Sequence, residues 1–229
     1  MLKQFYKRKS VSFLTWGPLC VLLLSPYIIV NNGFLGMKLY RNLTYSTYSM
    51  SFFFPLFGLY SLSSLQYFQK GQVIFRFGSF KNAWKKCSAV LLLDSILYVL
   101  FFHISAFMCY ILKQNFSFYL DNKGFFLQSF LAQCLTAYAF ELTIMTLSLL
   151  SRNSLLGFFS GYLLLWLEKL IQVIFPTWNT FSFLAGIDWD SSMGLLTIHI
   201  MFGITVGLLV SVPVCFANRD YLKDRGEEL

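Results

Sequence analysis

Apolar residues in this chain gather in long runs, with the polar ones confined to the gaps, and this spacing sets the first expectation. Six runs stand out, at about 11–30, 43–68, 87–112, 124–151, 153–175 and 192–217. Each is long enough for a helix of about 20 residues to cross a hydrocarbon layer about 30 Å thick. The first two contain no charged residue and the others only a few. The predicted fold class is therefore an all-α membrane protein with six transmembrane helices in one transmembrane domain spanning residues 1–229.

The first run follows Lys3, Lys7, Arg8 and Lys9, a start that resembles a secretory signal peptide. It is too long for one, contains Pro18 and Pro26, and lacks a small-x-small cleavage pattern, so it reads as a retained helix. Ahead of it, Leu2, Phe5, Tyr6 and Phe13 fall roughly on one helical face with Lys3, Lys7 and Arg8 off it. Residues 1–12 are thus predicted to form an amphipathic interfacial helix lying among anionic headgroups. The plainer reading is a basic flank on the first crossing.

Composition agrees with the pattern. Of the 229 residues 57% are hydrophobic, 20% aromatic and 12% charged, with a mean hydropathy of +0.62. A soluble domain carries about a quarter charged residues. Six crossings leave no room for a sizeable soluble domain, so any energy source belongs on another chain.

The net charge of +8 would point to nucleic acid in a soluble protein, but here its distribution points to topology. If alternate connections share a side, one side collects four cations before the first run, then Lys70, Arg76, Lys81, Lys85 and Lys86, then Arg152, and Arg219, Lys223 and Arg225 in a tail over 218–229. The other side has Lys38, Arg41, Lys113 and Lys123, which makes 13 against 4. Both termini are expected in the cytoplasm of a multi-pass plasma-membrane protein, with no nucleic-acid partner. The loop at about 176–191, with Trp178, Trp189, Asp188 and Asp190, is expected at the outer interface. Five cysteines, odd in number and without a CxxC pair, indicate neither a disulfide framework nor a zinc site.

No GxxxxGK[ST], HExxH, GxSxG or GxGxxG pattern occurs in a suitable setting. The most polar internal segment is QKGQVIFRFGSFKNAWKKC, between the second and third runs. Val73, Phe77, Phe80 and Trp84 recur there at spacings of 4, 3 and 4, which predicts an aromatic stripe on a short helix with Gly71 and Gly78 as bounds and Lys85 and Lys86 behind it. Such a stripe suits either a groove in a cytoplasmic partner or the membrane surface.

With an amphipathic start, six crossings, a basic connection after the second and a near-membrane loop between the fifth and sixth, the arrangement resembles the permease subunit of an ABC-2 type transporter. GQVIFRFGSFKNAWKKC is similar to that family's first cytoplasmic connection, and FANRDYL, residues 216–222, resembles the segment after its last helix. The resemblance implies a short cytoplasmic coupling helix between helices 2 and 3, with Gly71, Val73, Phe75, Arg76, Phe77, Gly78, Phe80, Lys81 and Trp84 meeting an ABC ATPase subunit. It further implies two permeases, identical or homologous, working with two ATPase copies that carry ATP and Mg, and no cofactor on this chain. Residues 69–86 contain no Asp or Glu, a departure from the acidic residue that often precedes the family's glycine turn, so the expected contact shifts to aromatic and cationic anchors. Permeases of this size resemble bacterial exporters of peptides, antibiotics or lipid-like compounds, including self-protection systems against antimicrobial peptides.

Charges inside the apolar runs are costly unless paired or wetted. Asp94, Glu141, Glu168 and His199 are the candidates for a substrate path. For Glu141 the competing reading is a hydrogen-bonded group that holds helices together. Asp94 and His103 are nine residues apart and face opposite sides of one helix. Two other function classes remain: a non-transporting immunity or sensor protein that binds a peptide or lipid, and an intramembrane enzyme, for which a recognisable catalytic pair is missing.

Overall fold

The computed structural model describes residues 40, 51, 53–69, 79–112, 116–174 and 192–218, excepting the side chains of 168, 169, 172, 173, 192–197 and 216–218. The expected interfacial helix, the first crossing, residues 70–78, the 176–191 loop and the 219–229 tail lie outside them. Among the described residues the chain is all-helical: α1 (Phe54–Gln69), α2 (Phe80–Leu112), α3 (Phe116–Asp121), α4 (Lys123–Ser151), α5 (Ser154–Ile174) and α6 (Ser192–Asn218). Among the described residues three helices are long and apolar enough to cross a membrane: α2, α4 and the Ile198–Cys215 part of α6.

The start of α2 differs from the sequence expectation. The Ser79 hydroxyl accepts a hydrogen bond from the Asn82 amide at 3.2 Å, so Ser79 caps the helix and Phe80 is its first residue. Phe80, Lys81 and Trp84 therefore form the opening turns of a 33-residue helix instead of closing a separate short helix over 71–84. Hydropathy marks the apolar part of a helix, and the hydrogen-bonded backbone extends beyond it.

The central helix, α4, packs against each of the other five. From Ser129 to Ser148 its polar side chains are turned inward or onto its own backbone: Ser129, Gln133, Thr136, Glu141 and Ser148 are buried, and Thr136, Thr143 and Thr146 each donate to the carbonyl four residues earlier at 2.8–2.9 Å. The outward faces of α5 and α6 are apolar, with Phe159, Leu163, Leu170, Phe202, Val206 and Val210 all exposed, the inside-out polarity of a bundle built for lipid.

Glycines bring α5 close to its neighbours. A Cβ on Gly157 would lie 2.6 Å from the Ser148 Cα, and one on Gly58 would run into the Phe158 ring. The turn between α4 and α5 places Arg152 at φ 56°, ψ 13°, among the described residues the one non-glycine with positive φ. Glycine adopts this conformation freely, whereas other residues bear a cost of about 1 kcal/mol. Asn153 then starts α5, its Oδ1 accepting from the Leu155 and Leu156 amides at 2.9 and 3.3 Å.

Candidate functional site

Two polar junctions are enclosed by this apolar bundle, both built on α2. In the first, the Ser64 hydroxyl of α1 donates to Asp94 Oδ2 at 2.6 Å, and the next residue of α2, Ser95, donates to Glu141 Oε2 of α4 at 3.2 Å. Ser95 Oγ also lies 3.1 Å from the Leu91 carbonyl. Adjacent helical residues point about 100° apart, which lets Asp94 face α1 while Ser95 faces α4. Asp94 is 2% exposed and Glu141 0%, and a carboxylate at such a site needs hydrogen-bond donors to offset lost hydration. Hydroxyl donors supply them. Tyr60, one turn before Ser64 on α1, is within electrostatic range of Glu141, as are Cys87 and Tyr138. Three helices thus converge on two acids that the sequence presents as unrelated.

The second junction lies about two turns further along α2 from Ser95 and again faces α4, with His103 half a turn round the helix from Asp94. His103 Nε2 is 2.9 Å from Gln133 Oε1, and Gln133 Nε2 donates to the Tyr40 hydroxyl at 2.7 Å. The amide nitrogen of Gln133 is used on Tyr40, so its oxygen accepts from His103 and the imidazole proton sits on Nε2. Aromatic rings enclose the chain: Phe130 packs edge-on to His103 at 5.4 Å, and Phe125 and Phe126 pack edge-on to Tyr40 at 5.5 and 5.1 Å. Beyond it, where α3 joins α2 to α4, Tyr119 stacks on Phe126 at 4.2 Å, and burial pushes the Tyr119 phenol above its ordinary range.

Between the junctions the Tyr98 hydroxyl donates to the Phe53 carbonyl at 3.1 Å, with the rings of Phe53 and Phe57 at 5.1 and 5.0 Å from its own. No group of three or more His, Cys, Asp or Glu among the described residues is arranged to hold a metal ion.

Of the residues singled out in the sequence, Asp94 accepts from Ser64 of α1 and Glu141 accepts from Ser95, the residue next to Asp94 on α2. His199 is exposed on α6. Glu168 belongs to α5, with its side chain outside the described set. Phe80 is 43% exposed, Lys81 is exposed and Trp84 half-buried at the opening of α2; Gly71, Val73, Phe75, Arg76, Phe77 and Gly78 lie outside the described residues. Sequence reading missed Ser64, Ser95, Gln133 and Tyr40. A signal existed, since a polar residue within an apolar run must find a partner, but nothing in one sequence says which helix supplies it.

The chain matches no protein-family model, no curated protein and no solved structure.

Proposed function

We propose that this chain is the membrane subunit of an ATP-driven exporter, working with a second permease copy or homologue and with two copies of a separate ATPase, and moving an amphipathic peptide, antibiotic or lipid-like compound outward. The observation that carries the reading is the course of α2. Its 33 residues give about 50 Å of unbroken helix against a hydrocarbon core of about 30 Å, an excess that on this reading belongs to its opening turns, where Phe80 and Lys81 are exposed. The same rigid helix carries Asp94, Ser95 and His103. A push on the Phe80 end is therefore delivered directly to contacts with α1 and α4, which is the geometry a subunit driven from outside requires. The basic segment leading into α2, its resemblance to the ABC-2 coupling connection, and the absence of a nucleotide motif on this chain support the same reading.

Site-specific photo-crosslinking from position 80 tests it. The expected product is a covalent adduct with a chain bearing a GxxxxGK[ST] motif, identified by mass spectrometry, together with loss of ATP-dependent export in the Phe77→Ala, Phe80→Ala double variant at unchanged expression. Adducts with lipid only, in membranes that contain the ATPase, would reject the exporter and favour a non-transporting binding protein.

A further inference from the structure

The short helix α3, six residues long, is folded back onto the helix before it. Phe116 packs on Phe107 of α2 with ring centres 5.6 Å apart, and Tyr119 packs on the same ring at 5.0 Å. Phe118 stacks on Tyr110 of α2 at 6.0 Å, and Tyr119 stacks on Phe126 of α4 at 4.2 Å. Phe107 precedes Leu112, the last residue of α2, by a stretch of about 7 Å along the axis. Part of α3 is therefore held beside α2 instead of continuing past its end.

Its side chains divide into three faces. At about 100° per residue, Phe118 and Tyr119 turn into the ring contacts, Phe116 and Leu120 fall about 40° apart on a second face, and Ser117 and Asp121 about 40° apart on a third. The apolar pair and the polar pair are all exposed. In water, an exposed Phe and Leu side by side gain nothing. In the boundary between headgroups and acyl chains, each face meets the medium that suits it. The surroundings on α2 agree: Ile104 and Ile111, three residues before Phe107 and four after it, share its face of the helix and are exposed. Where α2 crosses a bilayer, the medium beside that face is lipid. The Phe118 carbonyl near the end of α3 accepts from both the backbone amide and the side-chain nitrogen of Asn122, at 3.2 and 2.9 Å, which suits a layer poor in water.

We propose that α3 is an interfacial anchor, with Phe116 and Leu120 resting on phospholipid acyl chains just beneath the headgroups and Ser117 and Asp121 in water. Through Phe107, Tyr110 and Phe126 it sets how deep the α2–α4 pair sits. The placement rests on α2 and α4 crossing a bilayer and not on the exporter reading, and it lies apart from the interfacial segments expected at 1–12 and 176–191.

A diazirine-bearing phenylalanine, introduced singly into the full chain in phosphatidylcholine nanodiscs, tests it. Positions 116, 117, 120 and 121 are compared with position 100, where Leu100 is exposed in the middle of α2. After illumination, peptide mass spectrometry gives the ratio of lipid adducts to water-addition products at each site. The ratio at 116 and 120 should approach that at 100 and exceed that at 117 and 121 several-fold. Ratios equal at all four α3 positions, or adducts from 116 and 120 to a second protein chain, would overturn the anchor while lipid adducts at 100 left the crossing intact. Water products at 100 as well would overturn the crossing of α2 and the placement of α3 with it.

Discussion

The Ser64 hydroxyl donates to the Asp94 carboxyl at 2.6 Å, a length typical of a hydroxyl bound to a charged acceptor, and this contact ties α1 to α2 where neither helix has water at hand. Removing the donor alone leaves the acid buried with one fewer bond, a loss of about 1–3 kcal/mol. Ser64→Ala is therefore expected to lower the thermal midpoint of the detergent-solubilised protein clearly. Asp94→Asn together with Ser64→Ala should cost less than the sum of the two single changes, because the pair acts as one contact. Strict additivity would show that the two residues do not interact.

Glu141 of α4 has no exposed surface, and the Ser95 hydroxyl of α2 donates to its Oε2. Gln keeps the shape and an acceptor oxygen, so Glu141→Gln should stay within about 1 kcal/mol of the parent, whereas Glu141→Ala removes an acceptor and opens a cavity at a cost of about 2–4 kcal/mol. Size-exclusion profiles over a temperature series distinguish the two. A Gln variant as unstable as the Ala variant would mean that the charge itself holds the junction together.

The two acids of the first junction were legible in the sequence, and the partners that hold them were not. Asp94 and Glu141 stand out because any charge within an apolar run is costly. Ser64 and Ser95 do not, because serine is common in such runs and can satisfy itself on its own helix, as Ser61 does on the Gly58 carbonyl. Asp94 and His103 were placed on opposite faces by helical geometry alone, and their partners do come from different helices, α1 for one and α4 for the other. The beginning of α2 was not legible because the lysines after Phe80 mark where the apolar run starts, while Ser79, the cap, marks where the helix starts. Close approach of α4 and α5 was likewise hidden, since a glycine in an apolar run looks the same whether it faces lipid or a neighbouring backbone.

The second junction makes a spectroscopic prediction. Gln133 donates an amide hydrogen to the Tyr40 hydroxyl and its oxygen accepts from His103, which holds the neutral imidazole proton on Nε2. In 15N-labelled protein, His103 should show a protonated Nε2 and a bare Nδ1, with the exposed His199 as the comparison. Gln133→Leu should erase the tautomer preference and destabilise the protein by about 1–3 kcal/mol, since both His103 and Tyr40 lose a partner in a buried site. A bare Nε2 in the parent protein would reverse the assigned direction of the whole chain.

The glycines separate into two kinds that look identical in composition. At Gly203 and Gly207 of α6 a Cβ would meet nothing within 4 Å, so Ala at either position should leave the thermal midpoint unchanged or slightly raised, by the helix preference of Ala over Gly. At Gly157 the new methyl would lie 2.6 Å from the Ser148 Cα and 2.5 Å from its amide nitrogen. Those atoms are backbone, so α5 must move off α4, and the expected cost is about 1–3 kcal/mol or more. Ser148 sharpens the test, because its hydroxyl is buried and finds no hydrogen-bond partner among the described residues. Ser148→Ala should be neutral or stabilising, since it removes a polar group that is buried without compensation. It should nevertheless fail to rescue Gly157→Ala fully, because the hydroxyl goes while the backbone atoms remain. Complete rescue would place the clash at the side chain and leave the helices further apart than Gly157 requires.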